Sequence, residues 1–204
     1  MSERVHSRSV EIARGLSDAL AAAIAHAGPI TLAPRREGVF AARLARAVAG
    51  QQLSVKAAGT IWSRVEADAE AAGADLLGHF RSENIERLRE CGLSGAKART
   101  VCAIAEAARS GALDPDALEA MDAEARAAAL TGVWGVGRWT ADMMSIFWFG
   151  DDDVWPDGDV AARKTLTRLT SPRRKTARTA GRFAPHRSYL ALYMWRHVDA
   201  PPQT

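Results

Sequence analysis

A glycine-rich turn and a pair of aspartates are the parts of this chain whose residue types and spacing best suit chemistry. The turn spans residues 131–141 and places glycine at positions 132, 135 and 137. Glycine permits backbone angles that a Cβ forbids, so the chain can reverse tightly between two helices and expose its amides. Amides at the start of a helix bind phosphate without reading base identity. The turn predicts either a phosphate-binding hairpin or an ordinary connection between two helices.

The two aspartates, Asp157 and Asp159, follow the turn and precede a long basic stretch. A carboxylate can stabilise developing positive charge, or orient and deprotonate an attacking water. Either residue can instead cap the helix that follows. On chemistry alone the two are separated only weakly. The nearby run of residues 151–153, all aspartate, is interpreted as a solvated loop.

Positive charge is concentrated near the C-terminus. The net charge is only +3, yet residues 160–198 contain ten Lys or Arg and no Asp or Glu, which leaves −7 for the remaining chain. This polarity is typical of a protein that approaches a phosphate backbone with one face. For residues 172–182 alone, a solvated basic loop is the competing interpretation.

Apolar residues at three- and four-residue spacing run through most of the alanine-rich sequence, and no alternating pattern indicates a strand. The sequence therefore predicts an all-α fold. The predicted helices lie near residues 8–26, 39–50, 54–72, 83–90, 95–110, 115–129, 138–149, 160–170 and 186–198.

Composition restricts the class of protein. The chain has no apolar run of about 18 residues and no apolar signal core at its N-terminus, so we expect a cytoplasmic, nucleoid-associated protein. Cys91 and Cys102 belong to no Cys-x-x-Cys pattern or Cys/His cluster. We therefore expect neither a structural zinc nor a four-cysteine iron–sulfur cluster.

Five segments, in order, resemble the helix-hairpin-helix DNA glycosylases, and within them the 3-methyladenine DNA glycosylase II branch of alkylation repair. Residues 130–141 resemble the hairpin of that superfamily. Asp159 follows Gly137 by 22 positions, which is where the superfamily places its catalytic aspartate. The other segments with this resemblance are residues 49–58, 91–99 and 185–195, so it covers roughly residues 38–198.

The resemblance implies an all-α fold of two helical lobes with a central cleft. One lobe is expected at approximately residues 38–130, and the other is expected to combine residues 1–37 with 131–204, including the hairpin and the aspartate. An additional N-terminal β-rich domain, found in some longer relatives, is not expected here.

The implied activity is hydrolysis of the N-glycosidic bond of alkylated purines, such as 3-methyladenine and 7-methylguanine, after nucleotide flipping. Asp159 is the implied catalytic residue. Relatives that also cut the DNA backbone carry a lysine nucleophile in the hairpin helix, where this chain has Trp139. A monofunctional enzyme that leaves an abasic site is therefore expected. Trp139, Trp195 and Met143 are the implied base pocket, with Met143 standing where relatives often have tyrosine.

The resemblance also implies how DNA is held. Gln52 or Leu53 is the expected wedge that fills the space left by the flipped nucleotide, although Leu53 can instead pack inward. The expected phosphate-binding residues are Gly135, Gly137, Arg138, Thr140, Lys97 and Arg163. Candidates for contact with the opposite DNA face are Ser94, Lys97 and Arg99. Lys97 and Arg99 can equally belong to a solvated helix surface.

No cofactor is expected to be required, but the hairpin can hold Na⁺ or K⁺ through the main-chain carbonyls of Thr131, Val133 and Val136. The expected partner is double-stranded DNA with damaged bases, bound by a monomer. Two alternatives stay open: a non-catalytic helix-hairpin-helix module that binds distorted DNA, and a glycosylase for another base, such as hypoxanthine or a mismatched pyrimidine.

Overall fold

Helices are the regular secondary structure of the described part of the chain. The computed structural model describes residues 2–198, and within them no β-strand is present. These residues form the helices α1 Ser2–Arg14, α2 Asp18–Ala27, α3 Phe40–Gly50, α4 Val55–Ala71, α5 Leu76–His79, α6 Ile85–Glu90, α7 Gly95–Arg109, α8 Pro115–Glu119, α9 Ala123–Thr131, α10 Arg138–Met144, α11 Val160–Leu169, α12 Thr176–Ala180 and α13 Arg187–His197. The predicted all-α class is confirmed.

The described residues separate into two compact units. The terminal unit combines residues 2–35 with 145–198, and the middle unit comprises residues 36–144. The hairpin falls in the middle unit because α10 packs against α3 and α9. The sequence had grouped the hairpin with the C-terminal part of the chain.

The core of the middle unit is built around α3. Phe40, Leu44 and Val48 recur every fourth residue along one side of this helix and are buried, as are Ala41, Ala45 and Ala47. Small alanines let neighbouring helices approach closely, and α3 packs against both α4 and α7. Replacing the fully buried Leu44 with alanine would cost about 2–5 kcal/mol.

The terminal unit joins the two ends of the chain. The contacts of α2 with α1, α11 and α13 form it, and Leu20, Ile24 and Leu166 lie in its core. The predicted single helix at 8–26 is wrong, because α1 ends at Arg14 and α2 begins at Asp18. Ser17 between them is extended and donates its hydroxyl to the carbonyl oxygen of Leu169 at 2.7 Å.

Two further predicted helices differ from the structure. The stretch 115–129 is interrupted, because Asp114 caps α8 and Asp122 caps a separate helix, α9. The stretch 138–149 changes to a π-helix at Ser145–Phe149. The short helices α5 and α12 were not predicted. No described helix has the length and apolar character needed to span a bilayer.

Candidate functional site

The glycine-rich turn is a hairpin between α9 and α10. The Val136 amide donates to the Val133 carbonyl oxygen at 3.0 Å, which closes the turn. Gly135 has a φ of +82°, and a Cβ at this position would collide with the side chain of Thr100 on α7. Both the backbone angle and the close approach therefore require glycine at position 135.

Gly137, at the start of α10, is under a different constraint. A Cβ there would meet no heavy atom within 4 Å, and Gly137 is not among the residues with positive φ. Neither packing nor backbone conformation explains a glycine at this exposed position. An unobstructed backbone is what close contact with a phosphate group needs, so phosphate binding by Gly137 stays a prediction.

Two other predicted phosphate ligands are engaged within the protein. The Arg138 guanidinium donates to Asp142 at 2.9 Å and to Glu124 at 3.1 Å, and these hydrogen bonds raise the pKa of Arg138. The Thr140 hydroxyl is buried and accepts a hydrogen bond from the Gln51 amide at 2.6 Å. A phosphate would have to compete with these partners.

The carbonyl groups proposed for a monovalent cation lie in this same hairpin. The Val133 carbonyl already accepts the Val136 amide, while the Thr131 hydroxyl donates to Ala127 at 2.8 Å. A carbonyl oxygen has a second lone pair, so cation binding stays a prediction. Among residues 2–198, no group of three or more His, Cys, Asp or Glu side chains is placed to hold a metal ion.

The predicted wedge occupies a strained turn between α3 and α4. Gln52 has a φ of +58° and is the only described non-glycine residue with positive φ. Its side chain is exposed, and Leu53 is 40% exposed, so Leu53 does not pack inward. A strained conformation that presents exposed side chains is typical of functional turns.

Lys97 lies behind this turn. Its ammonium group donates to the carbonyl oxygens of Ala49 at 2.9 Å and Gln51 at 2.7 Å. Burial lowers the pKa of Lys97. The sequence predicted a phosphate contact for this lysine, whereas the structure places its charge on the protein's own backbone.

Asp159 is buried at the first turn of α11. Its Oδ1 atom accepts the Ala162 amide at 2.7 Å and the Trp195 indole N–H at 3.0 Å. The residue is only 7% exposed. It is thus both the helix cap and a carboxylate held by donors from two helices.

Asp157 has a different environment, which separates it from Asp159. Its Oδ1 accepts the Trp155 indole N–H at 3.0 Å and the Thr176 hydroxyl at 2.9 Å, and the residue is exposed. These contacts connect the loop to α12. Asp157 therefore has a structural explanation that requires no chemistry.

The three residues predicted to line a base pocket differ in exposure. Trp139 is partly exposed, whereas Met143 and Trp195 are completely buried. Trp195 stacks on Phe147, with ring centroids 5.7 Å apart and an interplanar angle of 30°. Trp195 is placed to orient the Asp159 carboxylate, and only Trp139 has surface available for stacking.

The acidic run before Asp157 is not merely a solvated loop. Asp153 receives two hydrogen bonds from the Arg187 guanidinium, at 2.7 and 3.0 Å, and one from the Arg187 amide at 3.2 Å. Burial raises the pKa of Asp153, but these hydrogen bonds outweigh it and the net pKa is lowered. Asp153 therefore secures the start of α13, the helix that carries Trp195.

Basic residues line an open groove along α11. The groove has a volume of about 430 Å³, and Arg163, Lys164 and Arg168 contribute exposed side chains to it. The Arg163 guanidinium also donates to the Asp157 carbonyl at 3.4 Å. The predicted phosphate role of Arg163 is compatible with this exposure.

Trp134 on the hairpin was not identified from the sequence. It is 55% exposed, and the Arg99 guanidinium lies 5.4 Å from its ring centroid. This geometry is typical of a cation–π contact. A tryptophan within a glycine-rich turn was the signal that could have revealed it.

Known proteins resemble the chain in sequence and fold. No protein-family model matches it. DNA-3-methyladenine glycosylase 1 of Schizosaccharomyces pombe is 34% identical over 159 residues, which cover 75% of this chain and 70% of that protein. A DNA-3-methyladenine glycosidase structure from Bacillus halodurans has a TM-score of 0.74 at 29% identity and covers 94% of this chain and 88% of that one.

A second solved structure is the 3-methyladenine DNA glycosylase of Schizosaccharomyces pombe in complex with abasic DNA. It has a TM-score of 0.72 at 29% identity, and the match covers 97% of this chain and 99% of that chain. The fold therefore agrees over most of the length of both structures, and the sequence agrees over 70% of the curated Schizosaccharomyces pombe relative. The chain belongs to the 3-methyladenine DNA glycosylase family of helix-hairpin-helix proteins.

Proposed function

We propose that this protein is a monofunctional DNA glycosylase that hydrolyses the N-glycosidic bond of alkylated purines. It acts as a monomer on double-stranded DNA, releases bases such as 3-methyladenine and 7-methylguanine, and leaves an abasic site. The buried carboxylate of Asp159, held by the Ala162 amide and the Trp195 indole in a member of this family, carries the proposal.

The chemistry assigned to Asp159 follows from the charge that develops on the sugar. As the base departs, the deoxyribose becomes oxocarbenium-like, and a fixed carboxylate stabilises it or orients the attacking water. An alkylated purine carries positive charge and is already a good leaving group, so modest assistance is sufficient. Donors fixed before the reaction keep the carboxylate from reorienting during it.

The exposed side chains found on the hairpin and the wedge turn have complementary roles in this proposal. Gln52 and Leu53 fill the space that a flipped nucleotide leaves in the duplex. The backbone around Gly135 and Gly137 binds phosphate, and the exposed Trp134 extends this DNA contact. Trp139 stacks on the cationic base, which contributes about 0.5–2 kcal/mol.

An assay of base release tests the proposed function directly. DNA methylated on purines is incubated with the protein, released bases are separated by chromatography, and abasic sites are cleaved with alkali. Release of 3-methyladenine and 7-methylguanine supports the proposal. DNA binding without base release would instead favour the non-catalytic module.

The same assay addresses the choice of base. Duplexes with hypoxanthine or a mismatched pyrimidine are placed in competition with methylated purines. We expect methylated purines to be released faster, because their positive charge both weakens the glycosidic bond and strengthens stacking on Trp139. Faster release of hypoxanthine would assign the enzyme to another damaged base.

A further inference from the structure

The wedge turn must keep a strained shape before it meets DNA. Gln52 has a positive φ, a backbone conformation that residues other than glycine rarely adopt without support. Such a conformation persists only where surrounding contacts hold it. The described structure shows where this support comes from.

The first support is Lys97, which reaches the turn from α7. Its ammonium group donates to Ala49 in the last turn of α3 and to Gln51 immediately before Gln52. Carbonyl groups at a helix C-terminus lack intrahelical partners, and a cation there also opposes the negative end of the helix dipole. A single charged group therefore fixes the backbone just ahead of Gln52.

The second support is the side chain of Gln51. Its amide donates to the buried Thr140 hydroxyl at 2.6 Å, which connects the turn to α10 of the hairpin. The turn is thus held by α7 and by α10, both within the middle unit. The Leu53 amide also donates to the Gly50 carbonyl oxygen at 3.2 Å within the turn, whereas the side chains of Gln52 and Leu53 are exposed.

We propose that Lys97 is a positioning residue for nucleotide flipping: it holds the carbonyls of Ala49 and Gln51 so that Gln52 and Leu53 are presented to the duplex in a fixed conformation. This inference rests on the proposed function. Lys97 acts through the turn and touches neither the damaged base nor a phosphate. Its contribution is to the step that opens a paired, stacked base.

Two substrates separate this role from a general structural one. One duplex carries 7-methylguanine paired with cytosine, and the other carries it in a single-nucleotide bulge, which is already unpaired. In Lys97→Met, base release at saturating enzyme is expected to fall by about tenfold or more on the paired duplex. Release from the bulge is expected to be unchanged, since little extrusion is needed.

Two control variants accompany Lys97→Met: one is a conservative change at position 97, and the other is a change at the opposite end of α7. Lys97→Arg keeps a donor cation and should restore part of the release from paired DNA. Arg109→Met removes the same charge from the far end of α7, where Arg109 contacts Leu77 and Glu106, and should leave both rates unchanged. If Lys97→Met lowers the folded fraction measured by circular dichroism, Lys97→Gln is used, with the same expected direction.

The outcomes are distinguishable. Absence of base release by the wild-type protein would refute the proposed function itself. Equal losses on both duplexes, or no loss on either, would overturn the positioning role while leaving the function intact. Weaker binding of both duplexes with a shallower salt dependence would identify Lys97 as a phosphate ligand instead.

Discussion

Trp195 donates its indole N–H to the same oxygen of Asp159 that accepts the Ala162 amide. Two helices, α11 and α13, therefore converge on a single carboxylate oxygen. The orientation of the Asp159 carboxylate therefore depends on α13 as well as on α11, the helix that it caps. This dependence makes the role of each contact accessible to mutation.

Replacing Trp195 with phenylalanine should lower the rate of base release without preventing folding. The change removes the indole donor but retains an aromatic ring against Phe147. A hydrogen bond to a charged group is worth about 1.5–3 kcal/mol, so we expect a roughly tenfold to hundredfold slower single-turnover rate. Quenched-flow assays measure the rate, and fluorescence anisotropy checks that DNA affinity is retained. An unchanged rate would contradict the positioning role of Trp195.

Asp159→Asn should abolish base release and preserve DNA binding. The amide oxygen of asparagine can still accept both hydrogen bonds, so the fold should be retained while the negative charge is lost. Asp157→Asn is the matched control, because its amide oxygen can likewise keep the contacts to Trp155 and Thr176. We expect that control to release bases at the wild-type rate. The reverse result would move catalysis to Asp157.

Alanine at the two hairpin glycines should affect different properties of the protein. Gly135→Ala forces a Cβ into Thr100 at a positive φ and should destabilise the protein by roughly 2–4 kcal/mol. Gly137→Ala meets no neighbouring atom and should leave stability nearly unchanged while weakening DNA binding. Urea unfolding and anisotropy titrations report the two quantities. Normal DNA affinity in Gly137→Ala would exclude close phosphate approach at this position.

The ion pair of Asp153 with Arg187 predicts a dependence of stability on pH. Because the folded-state pKa of Asp153 is lowered, its contribution is fully present above the unfolded value of about 4 and is lost as the pH falls through the folded value. Asp153→Asn should therefore be less stable than wild type at pH 7, and the difference should shrink in acid. Urea unfolding at several pH values measures it.

The control for this pair is Glu70→Gln, which removes an exposed carboxylate of α4. We expect its stability to stay parallel to that of the wild type across the same pH range. A difference for Asp153→Asn that stays constant into acid would show that the ion pair does not contribute through its charge.

Trp139 in place of a lysine predicts the chemistry of the product. Without an amine at this position, no Schiff base with the sugar should form. Incubation with damaged DNA and borohydride should give no covalent adduct, and strand breaks should require alkali. A trapped adduct would reveal a lysine nucleophile elsewhere in the chain.

The sequence was sufficient for the family and for the all-α class, and both are confirmed. The glycine spacing of the hairpin and the position of Asp159 belong to local motifs, which sequence reveals well. Helix boundaries were less accurate where a cap inside a helical pattern, such as Asp122, divides one predicted helix into two.

Contacts between segments distant in sequence could not be predicted in the same way. In the sequence Lys97 resembles a surface lysine of α7, because the spacing of residues along α7 does not reveal that its ammonium group donates to the carbonyl oxygens of Ala49 and Gln51. From the sequence Trp195 was expected to stack on the base, whereas in the structure its indole N–H donates to Asp159. The roles of these side chains depend on tertiary packing, which spacing along the chain does not encode.

The contact of Gly135 with Thr100 limits how the hairpin can be reused in protein engineering. The turn lies so close to α7 that a Cβ at position 135 would collide with the Thr100 side chain. Transplanting residues 123–144 into another scaffold would remove α7, the helix against which the turn packs. A functional graft would have to include a helix equivalent to α7, with a residue no larger than threonine facing the loop.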